Sequence, residues 1–165
     1  RHDQPVGPPP VNEPGQRLHL SGRLIPQQLD EAMVAAVVDD FYAKARIDPV
    51  IGPIFVRVIP DAEWRAHLDA IADFWSSMLL GTRRYAGRPM PKHLAIADLA
   101  DVHFERWLAL FRETAETVCP PEIAALFVDR AERIAQSFRL GIAFQRGEDT
   151  TGIEPLRAGQ ARARD

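Results

Sequence analysis

Apolar residues recur every three or four positions along most of this chain, which is the spacing of one face of an α-helix. Residues 26–48 carry such a stripe, formed by Leu29, Met33, Val34, Val37, Val38 and Phe41. Residues 48–55 interrupt the stripe, because their two prolines and one glycine permit only short turns. The pattern therefore predicts one long helix followed by a region of turns.

The same spacing predicts three further long helices. Residues 60–81 form one, with Asp61 as its N-cap and Gly81 as its stop. Residues 101–118 and 121–144 form two more, which a pair of prolines separates. The buried side of the last helix is predicted to be Ile123, Phe127, Ala131, Ile134 and Phe138. No segment shows sustained strand alternation, so we expect an all-α fold of about five main helices that cross irregularly.

The two ends of the chain lack this periodicity. Residues 1–26 are rich in proline and polar residues, and they hold too little apolar surface to offset the entropy of ordering. We expect them to form a disordered or loosely docked arm. Residues 146–165 are expected to form a flexible tail, which leaves residues 27–145 as one helical domain.

Composition narrows the class of protein without identifying it. The 165 residues are 46% hydrophobic and 26% charged with a net charge of -3, as in an ordinary soluble globular protein. This balance offers no basic surface for nucleic acid or an anionic membrane. No apolar run approaches the roughly 20 residues that span a bilayer, and residues 1–17 lack the apolar core of a secretory signal. The single cysteine, Cys119, excludes a disulfide framework and a cysteine-rich metal site, so we expect a cytoplasmic location.

Several polar aromatic side chains fall inside the apolar stripes. His67 shares a helix face with Trp64 and Phe74, where a solvated residue is normally avoided. An isolated histidine in such a position is most often a core-edge residue bonded to a backbone carbonyl. Tyr42 lies at the edge of the first stripe and Trp107 in the middle of the third helix, and each also has an ordinary structural role as a buried ring.

His93 lies in a short linker, residues 83–96, that contains two prolines and one glycine. A neutral imidazole in a proline-constrained segment is a good metal ligand. No second histidine at helical spacing accompanies it, so a bare zinc site has little support. By itself, His93 marks either a turn or a ligand.

Five motifs in a fixed order change this picture. They are "FY" at 41–42, "GPIF" at 52–55, "EWRAHLDAIADFW" at 63–75, "YAGRPMPKH" at 85–93 and "FERWLALF" at 104–111. In this order and spacing the chain resembles the truncated haemoglobins, and specifically their third group, over residues 28–145. The glycine pairs that the other groups carry after the first helix and before the proximal segment are absent here, which agrees with the third group.

The resemblance implies a two-over-two helical sandwich around haem b, an iron protoporphyrin IX. His93 matches the proximal ligand, which holds the iron through Nε2 and leaves the opposite position open to a diatomic gas. His67 matches the distal histidine, and Tyr42 and Trp107 match two polar aromatic residues of the distal pocket. Phe55 matches a phenylalanine packed against the porphyrin. Further haem contacts implied by the resemblance are Ile71, Phe74, Met90 and Leu94.

The same resemblance implies a protein, expected to be a monomer, that binds O₂, NO and CO at a pentacoordinate iron. Tyr42 O–H and Trp107 Nε1–H are both donors, and each hydrogen bond to the partly negative bound O₂ would contribute about 1–3 kcal/mol. We therefore expect slow O₂ release, with ligand chemistry or scavenging favoured over bulk oxygen transport. Detoxification of NO or peroxide stays open as a role, and it would require an unidentified reductase. The alternative, from another class, is a haem-free helical sensor or interaction module with the globin shape.

Three points stay open. His67 acts either as a movable gate or as a second ligand that binds ferric iron in a six-coordinate resting state. His103, one turn before Trp107, either contacts the haem edge or sits at a surface boundary. The cations able to pair with the haem carboxylates are Arg83, Arg84, Arg88 and Lys92, among which the sequence does not choose.

Overall fold

The computed structural model of the chain describes residues 16–18, 24–26 and 28–159. Two short strands come first, β1 (Gln16–Leu18) and β2 (Leu24–Pro26), and they pair as an antiparallel ribbon. The helices that follow are α1 (Glu31–Ile47), α2 (Gly52–Val58), α3 (Trp64–Leu80), α4 (Pro89–Leu94), α5 (Asp101–Val118) and α6 (Pro121–Gln145). A 3-10 turn, Asp61–Glu63, leads into α3. The all-α fold class is confirmed, with the ribbon as a minor addition.

The four long helices form two packed pairs. α1 packs against α3, α5 packs against α6, and α1 joins the two pairs through its contact with α5. Aromatic rings fill the space between the pairs: Phe111 stacks on Trp75 at 5.1 Å and meets Phe41 edge-on at 5.2 Å. Burial of each such ring contributes about 1.5–3 kcal/mol to stability. This arrangement is the two-over-two helical sandwich that the resemblance implies.

α1 is defined by its end residues as well as by its buried stripe. Asp30 caps the first turn, because its carboxylate accepts a hydrogen bond from the N–H of Met33 at 2.9 Å. Glu31 in the first turn and Lys44 and Arg46 in the last turn complement the helix dipole. The buried residues of α1 are Val34, Val37, Val38, Phe41, Tyr42 and Ala45.

The prediction of turns alone at residues 48–55 is wrong, because α2 begins within this stretch. Pro53 lies in the first turn of α2, where the backbone N–H has no partner inside the helix and its loss costs nothing. Gly52 allows α2 to start close to the end of α1, since a Cβ at this position would lie 2.6 Å from the backbone oxygen of Arg46. The prolines and the glycine thus start a helix here and do not merely break one.

The predicted stop of α3 is confirmed, and its predicted N-cap is wrong. Gly81 adopts the left-handed conformation, with φ 70°, and donates its N–H to the backbone oxygen of Ser77 at 3.1 Å. Asp61 lies in the 3-10 turn that precedes α3, and its carboxylate pairs with the guanidinium of Arg46. The carboxylate is drawn to a cation on α1, and α3 begins at Trp64 without a side-chain cap.

The C-terminal segment is docked against the helices where the sequence pattern predicts a flexible tail. The guanidinium of Arg139 donates to the backbone oxygen of Glu154 at 2.7 Å. The N–H of Ala158 donates to the carboxylate of Glu132 at 2.9 Å, and Ala158 is 8% exposed. Polar side chains of α6 therefore hold residues 153–158 in place, through contacts that no periodicity reveals.

The N-terminal arm expected at residues 1–26 is described only in β1 and β2, and the rest of that expectation lies outside the described residues. Ile25 of β2 is 6% exposed and belongs to the hydrophobic core. The ribbon is therefore packed on the helical body at this residue. None of the described helices is both long enough and apolar enough to cross a membrane.

Candidate functional site

A set of large apolar side chains packs against the core on one side and stays partly exposed on the other. Among its members are Phe55, Trp64, Ile71, Phe74, Leu94, Trp107 and Phe138, which come from α2, α3, α4, α5 and α6. Apolar surface left open in this way, on several helices at once, is typical of a site for a large apolar ligand. The predicted haem contacts Phe55, Ile71, Phe74 and Leu94 all belong to this set, whereas the side chain of Met90 lies outside the described part of the chain.

His93 lies in the last turn of α4, with its imidazole held from two directions. Its Nδ1 lies 2.7 Å from the backbone oxygen of Pro89. A carbonyl oxygen can only accept, so Nδ1 carries the proton and the neutral ring keeps its lone pair on Nε2. The ring also stacks on Phe138 of α6, with centroids 4.2 Å apart and planes 18° apart. The local structure therefore leaves Nε2 as the nitrogen that is able to ligate a metal.

The protonation state of His93 agrees with this arrangement. Burial lowers the pKa of the imidazole below its ordinary value, the hydrogen bond to Pro89 opposes that shift, and the charge of Lys92 adds to it. The pKa is lowered overall, so the ring is neutral at pH 7. A neutral imidazole is the form that binds a metal.

His67 on α3 is half-buried and packs against the rings of Tyr42 and Trp64. Burial lowers the pKa of His67, and the charges of Lys92 and of His93 lower it further. Within the described residues His67 makes ring contacts and no hydrogen bond, so a backbone carbonyl does not hold it. Ring contacts with α1 and with its own helix therefore position His67.

Four rings form an aromatic group on the α1 side of the site, here named the distal cluster: Tyr42, Phe55, Trp64 and His67. The ring of Tyr42 is central, with centroid distances of 5.6 Å to Phe55, 6.4 Å to Trp64 and 6.2 Å to His67. Each of these three contacts is edge-on, an arrangement that favours aromatic pairs. α1, α2 and α3 therefore contribute jointly to the distal cluster.

Tyr42 and Trp107 lie next to each other, although they belong to different helices. Tyr42 is 7% exposed, and burial raises the pKa of its phenol to about 12, against a smaller opposing effect of a hydrogen bond with Trp107. An indole N–H can only donate, so Trp107 donates to the Tyr42 oxygen. The Tyr42 O–H keeps its proton at all physiological pH values and is itself available as a donor.

Two residues of the site were not assigned from the sequence. Trp64 joins the distal cluster, and its position three residues before His67 is a signal that could have found it, since both lie on one face of α3. Phe138 was predicted only as part of the buried side of the last helix. Nothing in the sequence pairs it with His93, because α6 and α4 meet only in the tertiary structure.

The structure also bears on His103 and on the candidate cations. His103 accepts a hydrogen bond through Nδ1 from the N–H of Ala100 at 2.9 Å, so it caps the start of α5. Arg84 pairs with Glu31 at 2.7 Å, which commits its charge to α1. Lys92 is the candidate cation whose charge reaches both His67 and His93.

The residues present suit a haem. The described residues contain no group of three or more histidine, cysteine or acidic side chains that could hold a bare metal ion. What they contain is a neutral imidazole, that of His93, whose Nδ1 is engaged and whose Nε2 is free, together with partly exposed apolar and aromatic side chains. A macrocycle that brings its own four nitrogen ligands needs only such a nitrogen and such a surface. A two-over-two helical sandwich with this site defines a globin.

Comparisons with known proteins agree with this class. The family model described as bacterial-like globin matches residues 29–137. The group 3 truncated hemoglobin ctb of Campylobacter jejuni is 36% identical over 115 residues, which cover 68% of this chain and 91% of that protein. The crystal structure of the group III truncated hemoglobin from Campylobacter jejuni superimposes with a TM-score of 0.65 at 34% identity, covering 78% of this chain and 98% of that one.

The chain belongs to the bacterial-like globins and, within them, to the group III truncated haemoglobins. Membership of this family implies haem-based binding of small diatomic ligands such as O₂.

Proposed function

We propose that the protein holds haem b through Nε2 of His93 and binds O₂, NO or CO on the side of Tyr42, His67 and Trp107. The observation that carries this proposal is the hydrogen bond of 2.7 Å between Nδ1 of His93 and the backbone oxygen of Pro89. It selects the tautomer in which Nε2 is free, and it limits rotation of the ring. When bound, a haem held by one imidazole supplies an iron with one open position for a diatomic ligand.

Several side chains have distinct tasks in this proposal. Phe138 holds the plane of the His93 ring, and Phe55, Ile71, Phe74 and Leu94 supply apolar surface for the porphyrin. Together with Met90, these are the haem contacts that we propose. Burial of such surface keeps water away from the site and strengthens every hydrogen bond inside it.

Tyr42, supported by Trp107, is proposed to control how long O₂ stays. The Tyr42 O–H is a donor that burial keeps protonated, and its oxygen is already engaged by Trp107. A hydroxyl that accepts one hydrogen bond is polarised and donates a stronger one. A donor of this kind, at about 1–3 kcal/mol, slows the release of O₂ by about five- to a hundredfold. CO is less polar and gains less.

His67 is proposed to act as a gate between solvent and the Tyr42 side of the site. Its ring is half-buried and lacks a hydrogen bond within the described residues, so it can change position at small cost.

Slow O₂ release suits the oxidation of NO or the reduction of peroxide better than oxygen transport. We propose such a detoxifying role for a cytoplasmic monomer, with electrons supplied by a separate reductase.

The experiment is expression of the full chain under haem-replete conditions, followed by absorption spectroscopy. We expect a Soret band in the wild type and its loss after His93→Ala, because no other described histidine has its Nε2 presented in this way. His103→Ala is the matched control, since His103 only caps α5 and its loss should leave haem bound. Retention of haem by the His93 variant would show that another residue is the ligand.

Absorption and resonance Raman spectra of the ligand-free protein separate the gate from direct coordination by His67. An open-site ferrous spectrum and a ferric state without bis-histidine features support the gate. A clean bis-histidine low-spin spectrum contradicts it for that state. A colourless but folded wild type would support the haem-free sensor or interaction module.

A further inference from the structure

Arg46 lies one helical turn after Tyr42 on α1 and reaches the distal cluster from outside. Its guanidinium carbon is 4.6 Å from the ring centroid of Trp64, within the range of a cation–π contact. The same guanidinium pairs with Asp61 in the 3-10 turn before α3. Arg46 therefore connects the end of α1 to the start of α3 across the face of Trp64.

Trp64 in turn supports His67. The two rings are tilted by 33°, with centroids 6.0 Å apart, and Tyr42 meets His67 edge-on at 6.2 Å. These ring contacts are what positions the His67 imidazole, since it has no hydrogen bond among the described residues. A side chain held by packing alone changes rotamer when the ring beside it moves.

The contact between Arg46 and Trp64 has the right strength to bias such a motion. A cation–π contact changes an equilibrium constant by a factor of about two to thirty. The ion pair with Asp61, whose side chain is 87% exposed, adds at most about a factor of five. Effects of this size shift a side chain between two positions and leave the fold intact.

We propose that Arg46 is a positioning residue for ligand entry, which holds His67 over the distal side of the site by clamping Trp64. This proposal rests on the proposed binding of haem and diatomic ligands. Release of Trp64 frees His67 and opens the route from solvent towards Tyr42. Tyr42, the donor that retains a bound ligand, and Trp107, which donates to the Tyr42 oxygen, stay where they are. Arg46 therefore controls how fast a ligand enters and leaves the site, whereas Tyr42 controls how strongly the ligand is held.

The test is the bimolecular association rate of CO with the dithionite-reduced full-length protein, measured by flash photolysis. Arg46→Met keeps the length of the side chain and removes its charge, and we expect association to become about three- to twentyfold faster. O₂ dissociation should rise by no more than the same factor, because a freer His67 also eases escape while the Tyr42 donor is untouched. Arg46→Lys should restore most of the wild-type rate.

Two further variants test the route through Trp64. Asp61→Asn removes the ion pair and leaves the guanidinium free to contact Trp64, so its association rate should fall between those of the wild type and Arg46→Met. Lys44→Met is the matched control, because it removes one cation from the same helix and breaks only a surface pair with Asp40. An equal acceleration in the Lys44 variant would show that loss of any positive charge on α1 has this effect, and it would overturn the proposal.

A double-mutant cycle isolates the role of His67. In a His67→Gly background, Arg46→Met should no longer accelerate CO association, because the gate that it releases is gone. Persistence of the full acceleration overturns the proposed route. A wild type that binds haem and CO, with no change in Arg46→Met, overturns the role of Arg46 alone. A wild type without a Soret band overturns the proposed function, and this proposal with it.

Discussion

The imidazole of His93 lies against the ring of Phe138, with 4.2 Å between the ring centroids and 18° between the ring planes. The backbone oxygen of Pro89 accepts the Nδ1 proton of the same imidazole at 2.7 Å. A ring on α6 and a carbonyl on α4 thus hold one side chain from two directions. Together they leave the imidazole little freedom to turn, which is the property that a single axial ligand requires.

Replacement of Phe138 by Leu should loosen this orientation without removing the ligand. Loss of the ring contact, worth about 0.5–1.5 kcal/mol, predicts haem dissociation that is about two- to tenfold faster. The measurement is transfer of haem to an excess of a haem-scavenging apoprotein. Phe144→Leu is the control, because Phe144 on the same helix is 80% exposed. Equal rates of haem dissociation in the two variants would show that Phe138 does not help to hold the haem.

Replacement of Tyr42 by Phe should speed the release of O₂. The variant keeps the ring in the distal cluster and removes the donor, so we expect O₂ dissociation to rise about five- to a hundredfold and CO dissociation to change far less. Stopped-flow displacement of O₂ measures the rate. Tyr85→Phe serves as the control, because the Tyr85 ring meets Phe74 at 5.3 Å and lies outside the distal cluster. An unchanged O₂ rate in the Tyr42 variant would rule out its hydroxyl as the donor.

Asp48 should make the stability of the fold depend on acid pH. Its carboxylate accepts hydrogen bonds from Arg106 Nε at 2.8 Å and from the N–H groups of Val50 and Ile51, and the side chain is 3% exposed. Burial raises the pKa of this carboxyl, but the hydrogen bonds together outweigh burial and leave the pKa below its ordinary value. The stabilisation is therefore present above about pH 4, and it is lost as the pH falls through the lower folded pKa.

Asp48→Asn should lower the free energy of unfolding by about 1–3 kcal/mol at pH 7. The difference in the free energy of unfolding between this variant and the wild type should shrink as the pH falls below about 4, where the wild-type carboxyl becomes protonated. Denaturant unfolding at a series of pH values measures both quantities. Asp40→Asn, which breaks a surface pair with Lys44 at 3.2 Å, is the control and should cost far less. A difference that stays constant across this pH range would contradict the role of the Asp48 charge.

Gly52→Ala should destabilise the junction of α1 and α2. The new Cβ would lie 2.6 Å from the backbone oxygen of Arg46, so one of the two helices must shift. Overpacking of this kind costs about 1–3 kcal/mol. Gly152→Ala is the matched control, since a Cβ there meets nothing within 4 Å. Thermal unfolding of both variants provides the comparison, and equal midpoints would show that the junction absorbs the extra carbon.

Sequence reasoning succeeded where local rules decide the structure. The apolar spacing identifies the four long helices, and Gly81 ends α3 because only a residue without a Cβ adopts φ 70° easily. It failed where a distant partner intervenes. Asp61 was expected to cap α3, but Arg46 on α1 takes its carboxylate. At residues 48–55 the reason for the failure is local: proline breaks a helix interior but fits its first turn, so α2 begins where only turns were expected.

The sequence by itself determined the helical stripes, the residues able to ligate or donate, and the ordered motifs that identify the family. Those properties depend on residue type and spacing, which are local. The tertiary structure decided which of those residues meet: Tyr42 with His67, and the unassigned rings of Trp64 and Phe138 with the two histidines. It also decided that residues 153–158 are docked. Contacts between helices depend on how buried faces pack against each other, and no single helix contains that information.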